Sequence, residues 1–320
     1  MAATGVIQLL ADEGMASLAA PGHPERAERL DAVERGVADA ADALGARLDR
    51  PIVTPATDAE LERIHPAWYV AAVEAGATRG GGWIDADTYV GPGSMVAARL
   101  AAGATLAAAT AATRGEALVA FAAVRPPGHH ASEERAAGFC LLNNVAIAAA
   151  GLRAAGLAQR IAIVDWDVHH GDGTQAIFDA DPDLCYASTH QSQFYPGTGS
   201  AAEQGSGPAI GTKHNVPLPA GSGDDEFGEA WLVQLLPAIE AFAPEAILVS
   251  AGYDAHRDDP LAMLEVTEEG FGTVAEALGA VAGRLGLGGV GLCLAGGYDL
   301  AALRASVAAT VIGLVRGQSD

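Results

Sequence analysis

Short hydrophobic runs alternate along this chain with longer segments of helical periodicity. The runs predict buried strands at residues 6–10, 118–124, 161–164, 184–187, 246–250 and 290–294. The segments between them predict helices at about residues 25–48, 94–113, 142–156, 225–241, 267–285 and 300–315. This alternation is typical of a mainly parallel sheet with helices on both faces. We therefore predict an α/β fold.

The chain has 320 residues, a length that suits either two domains or one α/β domain. The glycine-rich stretches at residues 80–82 and 220–223 look like loops, and no polar linker or repeat divides the sequence. We predict one domain over residues 1–320.

Polar clusters follow five of the predicted strands directly. Side chains escape the core of an open α/β sheet at the carboxyl ends of its strands, where ligands bind. We therefore expect the five clusters to share one rim and to form the active site; they lie at residues 125–130, 165–173, 188–190, 251–260 and 295–299.

The cluster after residues 161–164 has the composition of a metal site. Alternation along an extended segment points Asp165, Asp167 and His169 to one side of the backbone. Catalytic zinc usually has three protein ligands and keeps a position for water and substrate. Asp167 and His169, joined by Asp254 from another strand, are the predicted ligands.

Other residues of the rim suit proton transfer. His129 and His130 follow a Pro-Pro-Gly turn that stiffens the backbone, and they can act as bases toward a water nucleophile. Asp165 and Asp172 are candidate carboxylate partners that would set the charge and tautomer of these histidines. Tyr298, after two glycines, can donate its hydroxyl to an oxyanion.

Taken together, these motifs resemble the histone deacetylase family, which includes acetylpolyamine amidohydrolases and acetoin-utilisation proteins. The Gly-His-His sequence without a preceding Trp is similar to class II and bacterial members. Matching segments run from residues 22–26 to beyond Tyr298, and lie at residues 125–130, 138–144, 165–173, 194–199, 252–260 and 296–298.

The resemblance implies an arginase-like fold and zinc-dependent amide hydrolysis with one Zn²⁺ per chain. It implies that Asp165 bonds His129, that Asp172 bonds His130, and that His130 is the main base and then acid. Tyr298 would polarise the acyl carbonyl. The implied substrate tunnel includes Phe139, Tyr195, Gly138, Leu261 and Asp87.

Relatives of this kind also bind potassium, which implies two structural sites here. The first would use Asp165 and Ser188 with backbone oxygens of Asp167, His169 and Thr189. The second would use mainly backbone carbonyls around Phe178, Asp181 and Leu184.

The leading function is removal of an acetyl or other short acyl group from an N-acylated amine such as acetyl-lysine. An acetylpolyamine or another small amide is the alternative substrate, although Leu261 stands where an acidic residue would favour polyamines. A binuclear manganese hydrolase of the arginase type is more remote, because the carboxylates of a second metal are missing after His169 and Asp254. A non-catalytic acetyl-lysine binder is the other remote alternative.

The composition indicates which binding partners and which cellular location to expect. The formal net charge of −22 argues against nucleic-acid binding, and it suits either steering of a cationic substrate or simple solubility. Scattered Cys140, Cys185 and Cys293 and a start without a basic signal region indicate a reducing, cytoplasmic setting. Residues 94–113 look like a core helix rather than a membrane span. The sequence does not decide whether the chain forms a homo-oligomer.

Overall fold

The computed structural model describes residues 5–18 and 22–319; the first four residues, on which the signal-region expectation partly rests, lie outside that range. Its strands are β1 (Val6–Leu10), β2 (Arg47–Asp49), β3 (Gly82–Trp83), β4 (Tyr89–Val90), β5 (Val119–Ala122), β6 (Ile161–Asp165), β7 (Leu184–Gln191), β8 (Lys213–Leu218), β9 (Ala246–Ala251) and β10 (Val290–Leu294).

Eight of these strands form one sheet in the order β2-β1-β5-β10-β9-β6-β7-β8, and every neighbouring pair is parallel. The central strands are buried along their whole length, so they appear in the sequence as continuous hydrophobic runs. All six predicted strands belong to this sheet, which confirms the α/β prediction. β3 and β4 form a separate antiparallel hairpin.

The helices are α1 (Glu28–Leu44), α2 (Asp58–Leu61), α3 (Ala67–Thr78), α4 (Ser94–Thr113), α5 (Asn144–Ala154), α6 (Asp172–Phe178), α7 (Asp224–Glu229), α8 (Leu236–Phe242), α9 (Glu268–Arg284) and α10 (Leu300–Ser319). α1 and α9 pack on α10, while α4 packs on α5 and on strands β5 and β10. α4 and α10 have the length and hydropathy of a membrane span, and 72% and 56% of their apolar windows are buried inside the structure.

Several predicted boundaries were wrong. The helix predicted at residues 25–48 begins at Glu28 and ends at Leu44, because Gly45 takes a left-handed conformation with φ 60°. Residues Arg47–Asp49 then form edge strand β2, which pairs in parallel with β1. The helix predicted at residues 225–241 is interrupted between α7 and α8 by a π-helical segment at Ala230–Leu235.

The predicted end of β7 was also wrong. Ser188, Thr189 and His190 continue the strand because they pair with β8, which was not predicted. β8 has the sequence Lys-His-Asn-Val-Pro-Leu and lies at the sheet edge, where Pro217 is tolerated. The expectation of one domain over residues 1–320 stays a prediction.

Candidate active site

The polar residues that follow β5, β6, β9 and β10 surround one cavity of about 250 Å³. This arrangement follows from the parallel sheet, whose carboxyl ends all lie on the same edge. The cavity is lined by Asp87, Pro127, His129, His130, Gly138, Phe139, Asp167, His169, Tyr195, Leu261, Gly296 and Tyr298.

The three predicted metal ligands lie together, and two of them, Asp167 and His169, line this cavity. Nδ1 of His169 is 3.0 Å from Oδ1 of Asp167 and 3.2 Å from Oδ2 of Asp254. One ligand atom from each residue lies within 4.8 Å of the other two. One imidazole nitrogen and two carboxylate oxygens form a donor set that suits zinc.

The surroundings of these carboxylates also fit a metal. Oδ1 of Asp254 accepts from the backbone N–H of Val168 at 2.9 Å, whereas its buried Oδ2 has no hydrogen-bond partner among the described residues other than the contact with His169 Nδ1 at 3.2 Å. A buried carboxylate oxygen with so few donors is stabilised by a cation, which compensates its lost hydration. A Cβ atom at Gly252 or Gly296 would overlap the carboxylate of Asp167 or Asp254. The need for these two glycines was missed in the sequence.

Each of the paired histidines bonds its own carboxylate through Nδ1. His129 lies 3.0 Å from Oδ2 of Asp165, and His130 lies 2.7 Å from Oδ1 of Asp172. Nδ1 therefore faces away from the cavity in both rings, and Nε2 is the nitrogen left for chemistry. The two ring centroids are 4.1 Å apart.

The two histidines have opposite pKa shifts. Burial opposes charge on His129, but the carboxylates of Asp165 and Asp167 outweigh it and raise the pKa to about 9. Burial and the neighbouring charge of His129 lower the pKa of His130 to about 3, although Asp172 acts in the other direction. His130 is thus neutral at pH 7 and able to accept a proton.

Tyr298 also lines the cavity. Its backbone is held by two residues that sequence reasoning did not assign to the site. Nε of Arg29 donates to the carbonyl of Gly297 at 2.6 Å, and its guanidinium carbon lies 4.9 Å from the Tyr298 ring centroid. Oδ2 of Asp259 accepts from the Tyr298 N–H at 2.7 Å. Arg29 lies on α1, far away in sequence, so no local pattern identified it.

All five predicted tunnel residues line the cavity. The ring of Phe139 stands edge-on to Tyr298 at 6.0 Å, with a backbone φ of 68° that few non-glycine residues adopt. Tyr195 stands edge-on to His130 at 5.0 Å and is 39% exposed. Gly138 is required beside His130, because a Cβ there would overlap that ring. Asp87 lies at the mouth, on the loop between β3 and β4.

The residues expected to hold potassium fall into two groups. Asp165 and Ser188 are fully buried partners across β6 and β7, and Asp165 also accepts from the hydroxyl of Tyr186 at 3.1 Å. At the other end of β7, the backbone oxygens of Asp181 and Leu184 accept hydrogen bonds from Nζ of Lys213. The second group therefore already contacts a cation of the chain itself.

Two histidines of the predicted rim, His190 and His256, do not line the cavity. His190 bonds the hydroxyl of Ser188 and the carbonyl of Gly199, and His256 bonds Glu268 at 3.2 Å. Both are buried, hydrogen-bonded residues of the surrounding structure.

Comparison with known proteins agrees with this geometry. The structure is similar to the crystal structure of the HDA15 HD domain, with a TM-score of 0.89 at 38% sequence identity, covering 98% of this chain and 90% of that chain. The fold and site thus define an α/β protein of the arginase/deacetylase class, with three side chains that could hold a metal ion at the carboxyl ends of a parallel sheet.

The chain belongs to the histone deacetylase family: the family model described as "Histone deacetylase domain" matches residues 23–314. It is 42% identical to Histone deacetylase 15 of Arabidopsis thaliana, over 90% of this chain but only 52% of that protein, about half its length. It is 39% identical to the histone deacetylase-like amidohydrolase of Pseudomonas aeruginosa, over 88% of this chain and 74% of that protein. A probable deacetylase of Archaeoglobus fulgidus is also 39% identical, with coverage of 88% and 77%.

Proposed function

We propose that this chain is a zinc-dependent amidohydrolase that removes an acetyl or other short acyl group from a linear amine. The observation that carries the proposal is the convergence of three metal-ligating side chains, two histidine–carboxylate pairs and one tyrosine on a single cavity. Membership in a family with deacetylases and an amidohydrolase supports the reaction class.

Asp167, His169 and Asp254 would hold the metal. When bound there, Zn²⁺ supplies Lewis acidity toward the amide carbonyl and lowers the pKa of water. Within residues 5–18 and 22–319, these three form the one group of His, Cys, Asp or Glu side chains placed to bind an ion together. This supports one metal per chain and disfavours the binuclear manganese alternative.

His130 is the residue assigned to proton transfer. Because it is neutral at pH 7, its Nε2 can take a proton from the attacking water and then deliver it to the leaving amine. Asp172 holds Nδ1, so the ring keeps one orientation through both transfers. His129 stays protonated beside Asp165 and contributes positive charge near the developing oxyanion.

Tyr298 is assigned to the oxyanion. Burial raises the pKa of its hydroxyl well above the usual value, so the group remains a donor at all physiological pH values. Arg29 and Asp259 both bond the peptide group that joins Gly297 to Tyr298, which places the hydroxyl before reaction begins.

The proposed substrate is an acetyl-lysine side chain or a similar acylated amine. A cavity of about 250 Å³ with Phe139 and Tyr195 at its walls suits a slender alkyl stem. An acetylpolyamine is the second candidate, favoured by the Asp87 carboxylate at the mouth and by the net charge of −22. Potassium near Asp165 and Ser188 belongs to this proposal, whereas cytoplasmic location and oligomeric state stay predictions.

The test is hydrolysis of an acetyl-lysine peptide and of N-acetylputrescine by zinc-loaded protein, with Tyr298→Phe as the variant. Loss of one oxyanion donor lowers kcat about 100- to 1000-fold. Tyr195→Phe is the matched control, since it removes a hydroxyl from the same cavity without changing the proposed donor. Silence of the wild-type protein on both substrates, with one zinc bound per chain, would mean that another acyl group or amine is the substrate. Silence without bound zinc would favour the non-catalytic binder. Equal activity of both variants would contradict the role of Tyr298.

A further inference from the structure

Lys213 is the only lysine among the 18 Lys and Arg residues of this chain. It begins edge strand β8, yet its side chain is fully buried, with 0% relative exposure. A buried ammonium is costly unless its three N–H groups find acceptors. The one lysine of the chain therefore lies where its charge must be compensated by buried hydrogen-bond acceptors.

That environment consists of uncharged oxygens. Nζ of Lys213 donates to the carbonyl of Leu184 at 2.8 Å, to the carbonyl of Asp181 at 3.1 Å and to Oγ1 of Thr212 at 2.7 Å. The nearby Asp181 carboxylate is bonded instead by the guanidinium of Arg153. Lys213 thus has three acceptors for three donors, and none of them is a carboxylate.

Carbonyl and hydroxyl oxygens converging on one point are the ligands that a monovalent cation such as K⁺ would use. Two of these oxygens, from Asp181 and Leu184, are those expected from the family resemblance to bind a second potassium ion. We propose that the Lys213 ammonium replaces that ion as a permanent internal cation, so that the protein takes up potassium at no more than the site near Asp165.

The choice of lysine fits this role. An ammonium is a compact point charge with three donors on one atom, which matches oxygens that converge on one point, whereas the planar guanidinium that the chain uses everywhere else spreads its donors over three nitrogens. Burial lowers the pKa of Lys213 to about 8, which leaves it charged at neutral pH. The inference does not depend on the proposed function, because Lys213 and its oxygen partners do not line the candidate active-site cavity.

The direct test is a crystal soaked in rubidium chloride, with anomalous difference maps of the wild type and of Lys213→Ala. We expect no rubidium beside Asp181 and Leu184 in the wild type and a rubidium peak there in the variant. A wild-type peak at that position with Lys213 displaced would overturn the proposal. So would a folded variant that leaves the position without rubidium.

Thermal unfolding provides a second readout that needs no enzyme activity. Potassium chloride should raise the Tm of Lys213→Ala in a saturable way, beyond its effect on the wild type, whereas choline chloride of equal ionic strength should not. Lys213→Met fills the same space with an apolar chain, so potassium should not rescue it. Arg50→Ala, at an exposed ion pair with Glu34, should keep the wild-type response.

The wild type alone also permits a test if the variants fail to fold. Labelling with lysine carrying ¹⁵N at Nζ gives a single side-chain resonance, because the chain has one lysine. We expect a slowly exchanging ammonium signal that is unchanged by added potassium. A signal that shifts with a saturable potassium dependence would mean that the ion competes for the oxygens, and would contradict the proposal.

Discussion

Two buried sites at opposite ends of the parallel strands compensate charge in opposite ways. At the carboxyl end of the sheet, Asp167 and Asp254 bring two carboxylates against the imidazole of His169, and Oδ2 of Asp254 has no described hydrogen-bond partner beyond that imidazole, 3.2 Å away. At the amino end of β7, neutral oxygens surround Lys213, and every ammonium proton has an acceptor.

Under the proposed function, the carboxylate site depends on a metal ion that the chain does not itself supply, whereas the Lys213 site does not. Carboxylates crowded in a buried site repel each other, and a bound divalent ion would relieve that repulsion and supply the proposed chemistry. Carbonyl dipoles need only one positive charge, which a side chain can supply permanently. Loss of the compensating cation should therefore abolish chemistry at the first site and lower stability at the second.

Asp254→Ala should have the largest effect, at the carboxyl-end site. Removing one of three ligands should abolish stoichiometric zinc and reduce kcat/KM at least about 1000-fold, or about 4 kcal/mol of barrier. Metal analysis and initial rates provide the measurements. Asp258→Ala, four residues further along the same loop with a side chain 65% exposed, should retain both zinc and activity. Retained zinc in the Asp254 variant would mean that the ligand set is incorrectly assigned.

Lys213→Met should lower the stability of the amino end of β7 without changing the chemistry of the candidate active site. The substitution leaves buried oxygens without their donor, and we expect a loss of about 2–3 kcal/mol in the free energy of unfolding. Urea unfolding measures it, with Arg50→Ala as a control expected to cost less than about 1 kcal/mol. Zinc content and kcat of the folded Met variant should match the wild type; a loss of zinc would show that the two ends are coupled.

Asp172→Asn should have a smaller effect on the catalytic end. The Asp172 carboxylate raises the basicity of His130 against burial, so the variant should have a lower pKa at His130 and a weaker base. We expect kcat/KM to fall about 10- to 100-fold and the acidic limb of its pH profile to move to lower pH. Asp225→Asn makes the same charge change at an exposed helix position and should leave the profile unchanged. An unmoved limb in Asp172→Asn would assign that titration to another group.

Leu261→Glu should have the smallest effect, confined to substrate choice at the cavity mouth. A carboxylate there would attract the free ammonium of N-acetylputrescine, so its kcat/KM should rise up to about fivefold relative to the peptide. Met263→Glu adds the same charge two residues away, at a side chain that is 60% exposed and does not line the cavity. An equal change in both variants would point to general attraction rather than to the pocket.

The sequence predicted the elements whose signals are local. Buried parallel strands such as β6 are continuous hydrophobic runs, and the motifs that follow them fall on one edge because all the strands point the same way. β8 was missed, since an edge strand with a polar start and Pro217 has no hydrophobic pattern. Arg29 was missed because its contact with Gly297 joins residues from opposite ends of the sequence. Only tertiary structure brings such groups together.

The burial of Lys213 also sets the protein apart from the compounds on which it is proposed to act. Its Nζ is the only side-chain amine of the chain, and inside the structure it is inaccessible to acyl donors. The folded surface thus offers no lysine that could be acylated and then compete for the cavity. For the experimenter, an amine-reactive reagent that modifies Nζ reports one event: the separation of β8 from the sheet.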